Sequence, residues 1–104
     1  MDDKKFELVV SIVNTGFSQI VMEAARNAGA KGGTVVRARG TANPEAEEFF
    51  NINIQPDKEM LLLLVPAKLK DKILQAVYKV GGPGTNAAGI AFSMPVSRTT
   101  SVKE

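Results

Sequence analysis

Apolar residues recur along this chain in two rhythms, one of period two and one close to 3.6. Phe6-Glu7-Leu8-Val9-Val10-Ser11-Ile12-Val13 is apolar at most positions and rich in β-branched side chains, the pattern of a strand covered on both faces. Asn14-Thr15-Gly16 breaks it. Phe17, Ile20, Val21, Ala24, Ala25 and Ala28 then recur at i, i+3, i+4, i+7, i+8 and i+11, predicting a helix with one apolar stripe and Gly29 as its stop. From Thr34 to Arg39 the chain alternates again, with Thr34, Val36 and Ala38 on one side and Val35, Arg37 and Arg39 on the other.

Gly40-Thr41-Ala42-Asn43-Pro44 ends that strand, and Glu45-Ala46-Glu47-Glu48 reads as an acidic loop or a short helical turn. Phe50, Ile52 and Ile54 alternate with Asn51 and Asn53, a half-buried strand. Gln55-Pro56-Asp57-Lys58 reads as a turn before Met60-Leu61-Leu62-Leu63-Leu64-Val65, whose length and closing Pro66 favour a central strand over a helix. Leu69, Ile73, Ala76, Val77 and Val80 form the stripe of a helix over 68–79, terminated by Gly81-Gly82-Pro83-Gly84. Gly89 to Val96 is the last strand, and the polar tail from Ser97 to Glu104 is expected to be mobile unless it packs on a partner.

This order predicts an α+β domain of the ferredoxin-like βαββαβ type over 1–104, an antiparallel sheet with two helices on one face. Because both parities of the first strand are apolar, the second face needs cover as well. In a chain of 104 residues the simplest cover is another copy of itself, so an oligomer is expected.

Composition narrows the chemistry. With 44% apolar and 23% charged residues the chain is globular and not disordered. It has neither cysteine nor histidine, which removes thiolate metal sites, cysteine nucleophiles and the commonest general base, and points away from an enzyme. A net charge of +2 is too small to argue for nucleic-acid binding. The longest apolar run, Met60 to Val65, cannot span a bilayer, and no leader-like segment precedes Phe6, so the expectation is a cytoplasmic protein not embedded in a membrane.

Three stretches could carry binding chemistry. Gly84-Thr85-Asn86-Ala87-Ala88-Gly89 is small enough for backbone N–H groups to approach an anion, although the segment is not a P-loop, because Ile90 stands where that motif needs lysine. A helix stop and simple connection is the competing reading. Arg37 and Arg39 share a strand face and could hold a phosphate, or could be a solvated face paired with Glu45, Glu47 and Glu48. Lys31-Gly32-Gly33-Thr34 offers one more cationic approach point.

The pattern resembles the PII family of signal-transduction proteins from about Phe6 to Val96. Gly32-Gly33-Thr34-Val35 is similar to the family's Gly-Met-Thr-Val, and Arg39-Gly40 to its Lys-Gly before the T-loop. Leu61 to Val65 with Pro66 resembles its central strand, and Gly89, Phe92 and Pro95-Val96 the end of its B-loop and the strand beyond. The resemblance implies a homotrimer with an adenine nucleotide in each cleft between subunits. It assigns the B-loop to Gly84, Thr85, Asn86, Ala87, Ala88 and Gly89, the base of the T-loop to Arg39, Gly40 and Thr41, a strand contact to Thr34 and a basic tail residue to Lys103. Arg37 joins this set as a substitute cation.

Departures refine the expectation. The family's Gly-Asp-Gly-Lys is Ala87-Ala88-Gly89-Ile90 here, Ser101 replaces a phosphate arginine, and Leu62 stands where a glutamate closes the adenine site. Fewer cations favour ADP or AMP over ATP. The T-loop is shorter and lacks the family's modifiable tyrosine. The implied function is regulation of a target protein, a membrane transporter or metabolic enzyme, through the loop 41–49. The alternatives are a ligand-free interaction module of the same trimeric fold and a cyclic di-AMP-binding PII-like protein.

Overall fold

The computed structural model describes residues 5–41 and 56–100. Its strands are β1 (Phe6–Asn14), β2 (Thr34–Arg39), β3 (Asp57–Pro66) and β4 (Ile90–Val96), and its helices are α1 (Ser18–Asn27) and α2 (Lys70–Gly81), the latter entered through a 3-10 turn, Ala67–Leu69. The sheet order is β2-β3-β1-β4, and each neighbouring pair is antiparallel. Each helix therefore connects two strands separated by a third, the split βαβ arrangement expected from the sequence. The predicted strand Phe50 to Ile54 and the acidic Glu45 to Glu48 lie outside the described residues.

Strand parity decides what is buried. Odd-numbered residues of β1 and β3 face the helices. Val9, Val13, Leu61, Leu63 and Val65 are buried there against Val21, Met22 and Ala25 of α1 and Ile73 and Val77 of α2. Even-numbered residues form the other face, in rows set by the register. One row is Val36, Met60, Ile12 and Ile90; the next is Thr34, Leu62, Val10 and Phe92; a third is Leu64, Leu8 and Met94. No described element covers this apolar face, and Ile90, Phe92 and Met94 are 56%, 41% and 44% exposed along its β4 side.

Two expectations are corrected. The α1 stripe is rotated: Ile20 is exposed and Met22 is buried in its place. The reason is Gly33, where a Cβ would meet the Met22 methyl at 3.1 Å; the unbranched thioether reaches over the bare backbone as a β-branched side chain could not. The second correction concerns Asp57 and Lys58, which belong to β3 and not to a turn. Their extension is supported by partners on β2, with Arg39 opposite Asp57 and Arg37 opposite Glu59.

Gly29 ends α1 as expected, at φ +118°. Ala30 N–H donates to the Ala25 carbonyl at 2.9 Å and Gly29 N–H to that of Arg26 at 3.0 Å, the paired closure that a left-handed residue permits.

Gly32 and Gly33 separate close packing from chain flexibility. A Cβ at Gly33 would lie 2.6 Å from the Leu62 carbonyl oxygen, whereas one at Gly32 would meet nothing within 4 Å. Urea unfolding at fixed protein concentration should show Gly33→Ala destabilised by about 1–3 kcal/mol and Gly32→Ala within about 0.5 kcal/mol of the parent.

Candidate functional site

The glycine loop leaves α2 at Gly81 and is closed by its own backbone. Thr85 N–H and Oγ1 both donate to the Gly82 carbonyl, at 3.2 and 2.7 Å. Ala88 N–H donates to Thr85 O at 2.9 Å, and Gly89 N–H to Gly81 O at 2.8 Å. Gly84 takes φ +91° and Ala88 φ +47°. Ala87 is fully buried and anchors the loop in the core. Among the described residues the N–H groups of Gly84, Asn86 and Ala87 have no acceptor; Gly84 and Asn86 are exposed, so their donors are open to an anion, whereas Ala87 is buried.

Gly89 has a role the sequence did not reveal. A Cβ there would collide with the Gly81 carbonyl, with Val13 and with the Ile12 carbonyl. Its substitution tests the fold before it tests any ligand.

The opposite edge of the sheet carries the cations. Arg37 and Arg39 are exposed on β2, on the helix-bearing side but beside the N-terminus of α1. Arg37 lines a cleft of about 220 Å³ with Thr15, Asp57, Lys58 and Glu59. Gly40 N–H donates to the Pro56 carbonyl at 2.7 Å and Thr15 N–H to that of Asp57 at 3.2 Å, which fixes the root of the segment between Thr41 and Pro56.

Glu59 is the group here that sequence reading missed. α1 has no side-chain cap of its own, and Glu59 Oε1 accepts from Gly16 N–H at 2.9 Å and from Ser18 N–H at 3.4 Å. A carboxylate from β3 thus satisfies donors at the start of α1. The Gly16 bond is the main cause holding the Glu59 carboxyl below its usual value; bonds from Ser18 and the nearby Arg37 charge act the same way, against partial desolvation. Asn14, the other missed residue, accepts from Lys58 Nζ at 2.6 Å and donates through Nδ2 to the Asn86 carbonyl at 3.2 Å. Its sequence signal, a polar residue ending an apolar strand, reads only as a stop.

The predicted site residues do not converge within one chain. Arg39 and Gly40 lie at the same end of the sheet as the glycine loop but on the opposite edge, three strand spacings or about 14 Å away. Thr34, exposed beside Leu62, begins β2 and lies about 17 Å from Arg39 along the strand. Lys103 lies outside the described residues. A separate cavity of about 540 Å³ between α2 and β4, walled by Leu74, Val77, Tyr78, Ile90 and Ala91, is mostly apolar, and Gly89 is the one predicted residue on its wall. No described helix is long and apolar enough to cross a membrane.

A ferredoxin-like domain with a glycine loop at one sheet edge and exposed arginines beside a loop root at the other is the class that fold and site define. The family model of nitrogen regulatory protein P-II matches residues 6–104, and the chain belongs to that family. Among solved structures it is similar to a PII-like signalling protein of Thermus thermophilus, at 24% identity over 92% of this chain and 90% of that one, with TM-score 0.69. It is also similar in fold to Arabidopsis thaliana PII bound to citrate, at 24% identity over 91% and 78% of the two chains, TM-score 0.67. A Bacillus cereus protein related to NIF3 contains the same fold in 27% of its length, with 94% of this chain covered, 16% identity and TM-score 0.69. No curated protein matches the sequence.

Two measurements test the local physics. The Glu59 value is depressed in the folded protein, so its contribution to stability is present above the unfolded glutamate value of about 4.3 and is lost as pH falls through the lower folded value. Urea midpoints measured from pH 6 downward should therefore fall less steeply in Glu59→Gln than in the parent. Ala88→Gly relieves a left-handed alanine and should raise stability by up to about 1 kcal/mol, read from the same unfolding curves.

Proposed function

We propose that this chain is a P-II-type signalling protein, a regulator and not an enzyme, built as one domain over 1–104 that assembles as a homotrimer and binds an adenine nucleotide in each cleft between subunits. The observation that carries the reading is the separation of the candidate residues. The glycine loop and the Arg37–Thr41 edge lie on opposite margins of one sheet, and an assembly that sets one copy's loop beside the next copy's edge brings both onto one ligand. The uncovered apolar face supports the same assembly, because contiguous exposure of Phe92, Met94 and Ile90 is the mark of an interaction surface.

In this arrangement the loop Gly84, Thr85, Asn86, Ala87, Ala88 and Gly89 from one subunit cradles the phosphates, with the exposed N–H groups of Gly84 and Asn86 as the donors its own bonds leave open. Thr34, Arg37, Arg39, Gly40 and Thr41 line the cleft from the neighbour, with Lys103 supplying a further cation. With Ile90 in place of a lysine, a diphosphate or monophosphate matches the charge better than a triphosphate, which favours ADP or AMP over ATP. Nucleotide binding at the root of the segment 41–49 shifts the population of states that segment offers to a target protein, a membrane transporter or a metabolic enzyme in the cytoplasm. That Arabidopsis PII is described as bound to citrate supports a small anionic effector in this fold. The missing phosphate cations favour two further readings, a cyclic di-AMP-binding protein or a trimeric interaction module with no ligand.

Calorimetric titration with ATP, ADP, AMP and cyclic di-AMP, on protein whose mass in solution is known, decides among these. The expected outcome is a trimer binding ADP or AMP near one per subunit, weakened about tenfold or more by Arg39→Ala, the loss of one charge-assisted contact. A folded trimer giving no heat with any nucleotide would favour the interaction module.

A further inference from the structure

Asn14 occupies a position that neither the glycine loop nor the opposite edge explains alone. It ends β1, the strand between β3 and β4, and makes polar contacts in both directions. Toward β4, its backbone N–H donates to Ala87 O at 2.9 Å and its Nδ2 donates to Asn86 O at 3.2 Å. Toward β3, its Oδ1 accepts from Lys58 Nζ at 2.6 Å. An ammonium can only donate and a carbonyl oxygen can only accept, so one side chain must present an acceptor and a donor a few ångström apart. Aspartate lacks the donor, and leucine lacks both groups.

Lys58 in turn lies against the root of the other loop. It sits opposite Ala38 on β2 and opposite Asn14 on β1. A Cβ at Gly40 would come within 3.3 Å of the Lys58 Cε, so the lysine stem runs beside Gly40, whose own N–H is bonded to Pro56 O. Arg37, Asp57 and Glu59 are its charged neighbours in the adjoining cleft.

We propose that Asn14 is a positioning residue that couples the glycine loop to the cationic loop root through Lys58. The Lys58 ammonium bonds to a neutral amide oxygen in this state. An anion arriving at Gly40 and Thr41 brings a full negative charge that the neutral amide oxygen lacks, and the added Coulomb attraction draws the ammonium away. The Asn14 amide then loses the bond that fixes its rotation, and its hold on the Asn86 carbonyl weakens. The donors of Gly84 and Asn86 are presented differently as a result. Coupling is reciprocal, so an anion that rearranges the glycine loop also changes the availability of Lys58. If the trimer proposed above is correct, one chain's loop and root serve two different clefts, and Asn14 links neighbouring ligand sites.

Amide hydrogen exchange on the full chain without ligand tests this, so its outcome does not depend on whether a nucleotide binds. The reporters are the bonded amides of Ala88 and Gly89, with Leu61 and Leu63 in the core as references. Lys58→Met keeps the stem and removes the ammonium; Asn14→Asp keeps an acceptor for Lys58 and removes the donor to Asn86. Each is expected to accelerate exchange at Ala88 and Gly89 at least tenfold with Leu61 and Leu63 unchanged, although Lys58 bonds to the loop only by way of Asn14. In the Asn14→Asp background, Lys58→Met should add nothing further. The proposal is overturned if Lys58→Met leaves the loop amides unchanged, if its effect is the same size with and without the Asn14 amide, or if the core amides accelerate by the same factor.

Discussion

The structure depends on β1 having antiparallel partners on both of its edges. Strands adjacent in sequence around each helix are not neighbours in the sheet: β1 lies between β3 and β4, and β3 lies between β2 and β1. Each helix must therefore cross over one intervening strand, and both must lie on one side to share a core. That core is formed by the odd-numbered residues of β1 and β3, Val9, Val13, Leu61 and Leu63 among them, pressed against α1 and α2. The same constraint leaves the even-numbered face without cover from any described element of its own chain. A helix-covered face and an opposite face that is half-buried along β1 and β3 and exposed toward β2 and β4 thus follow from a single topological choice.

The end of the sheet where β1 stops gathers the polar chemistry. Two side chains there act across the sheet: Glu59 on the N–H groups at the start of α1, and Asn14 on the glycine loop and Lys58. Both are bonds of long sequence separation made by short, rigid geometry, and both fix loops whose backbone groups would otherwise be left to solvent. Close packing does the rest. Gly81 and Gly89 approach one another and Val13 so closely that no side chain fits at Gly89, and the glycine loop is held in place by exclusion of volume as much as by hydrogen bonds.

The chain belongs to the P-II family, and its candidate binding features share one region of the fold. Here the donors of the glycine loop, the arginines of β2 and the root of the 41–55 segment lie at one end of one sheet, and the polar contacts of Asn14 run between them.

The strand and helix periods were legible because they follow from local chain geometry: the apolar run of β1, the stop at Gly29 and the stripe of Ile73 and Val77 required no knowledge of neighbours. The identity of the glycine loop and of Arg37 and Arg39 as candidates was also legible, since residue type alone limits what can hold an anion. Legibility failed where a residue's role depends on something distant in sequence. Met22 replaced Ile20 in the core because Gly33 leaves room for it, Asp57 and Lys58 joined β3 because Arg39 and Ala38 stand opposite, and Gly89 proved to be a packing requirement. Glu59 and Asn14 looked like ordinary polar positions because their partners lie 41 to 72 residues away. By itself, then, the sequence determined the elements, their order, the two-faced apolar sheet and the absence of histidine and cysteine chemistry. Only the tertiary structure decided register, and with it which side chains meet across strands, because register is set by the simultaneous packing of the whole core and not by any local preference.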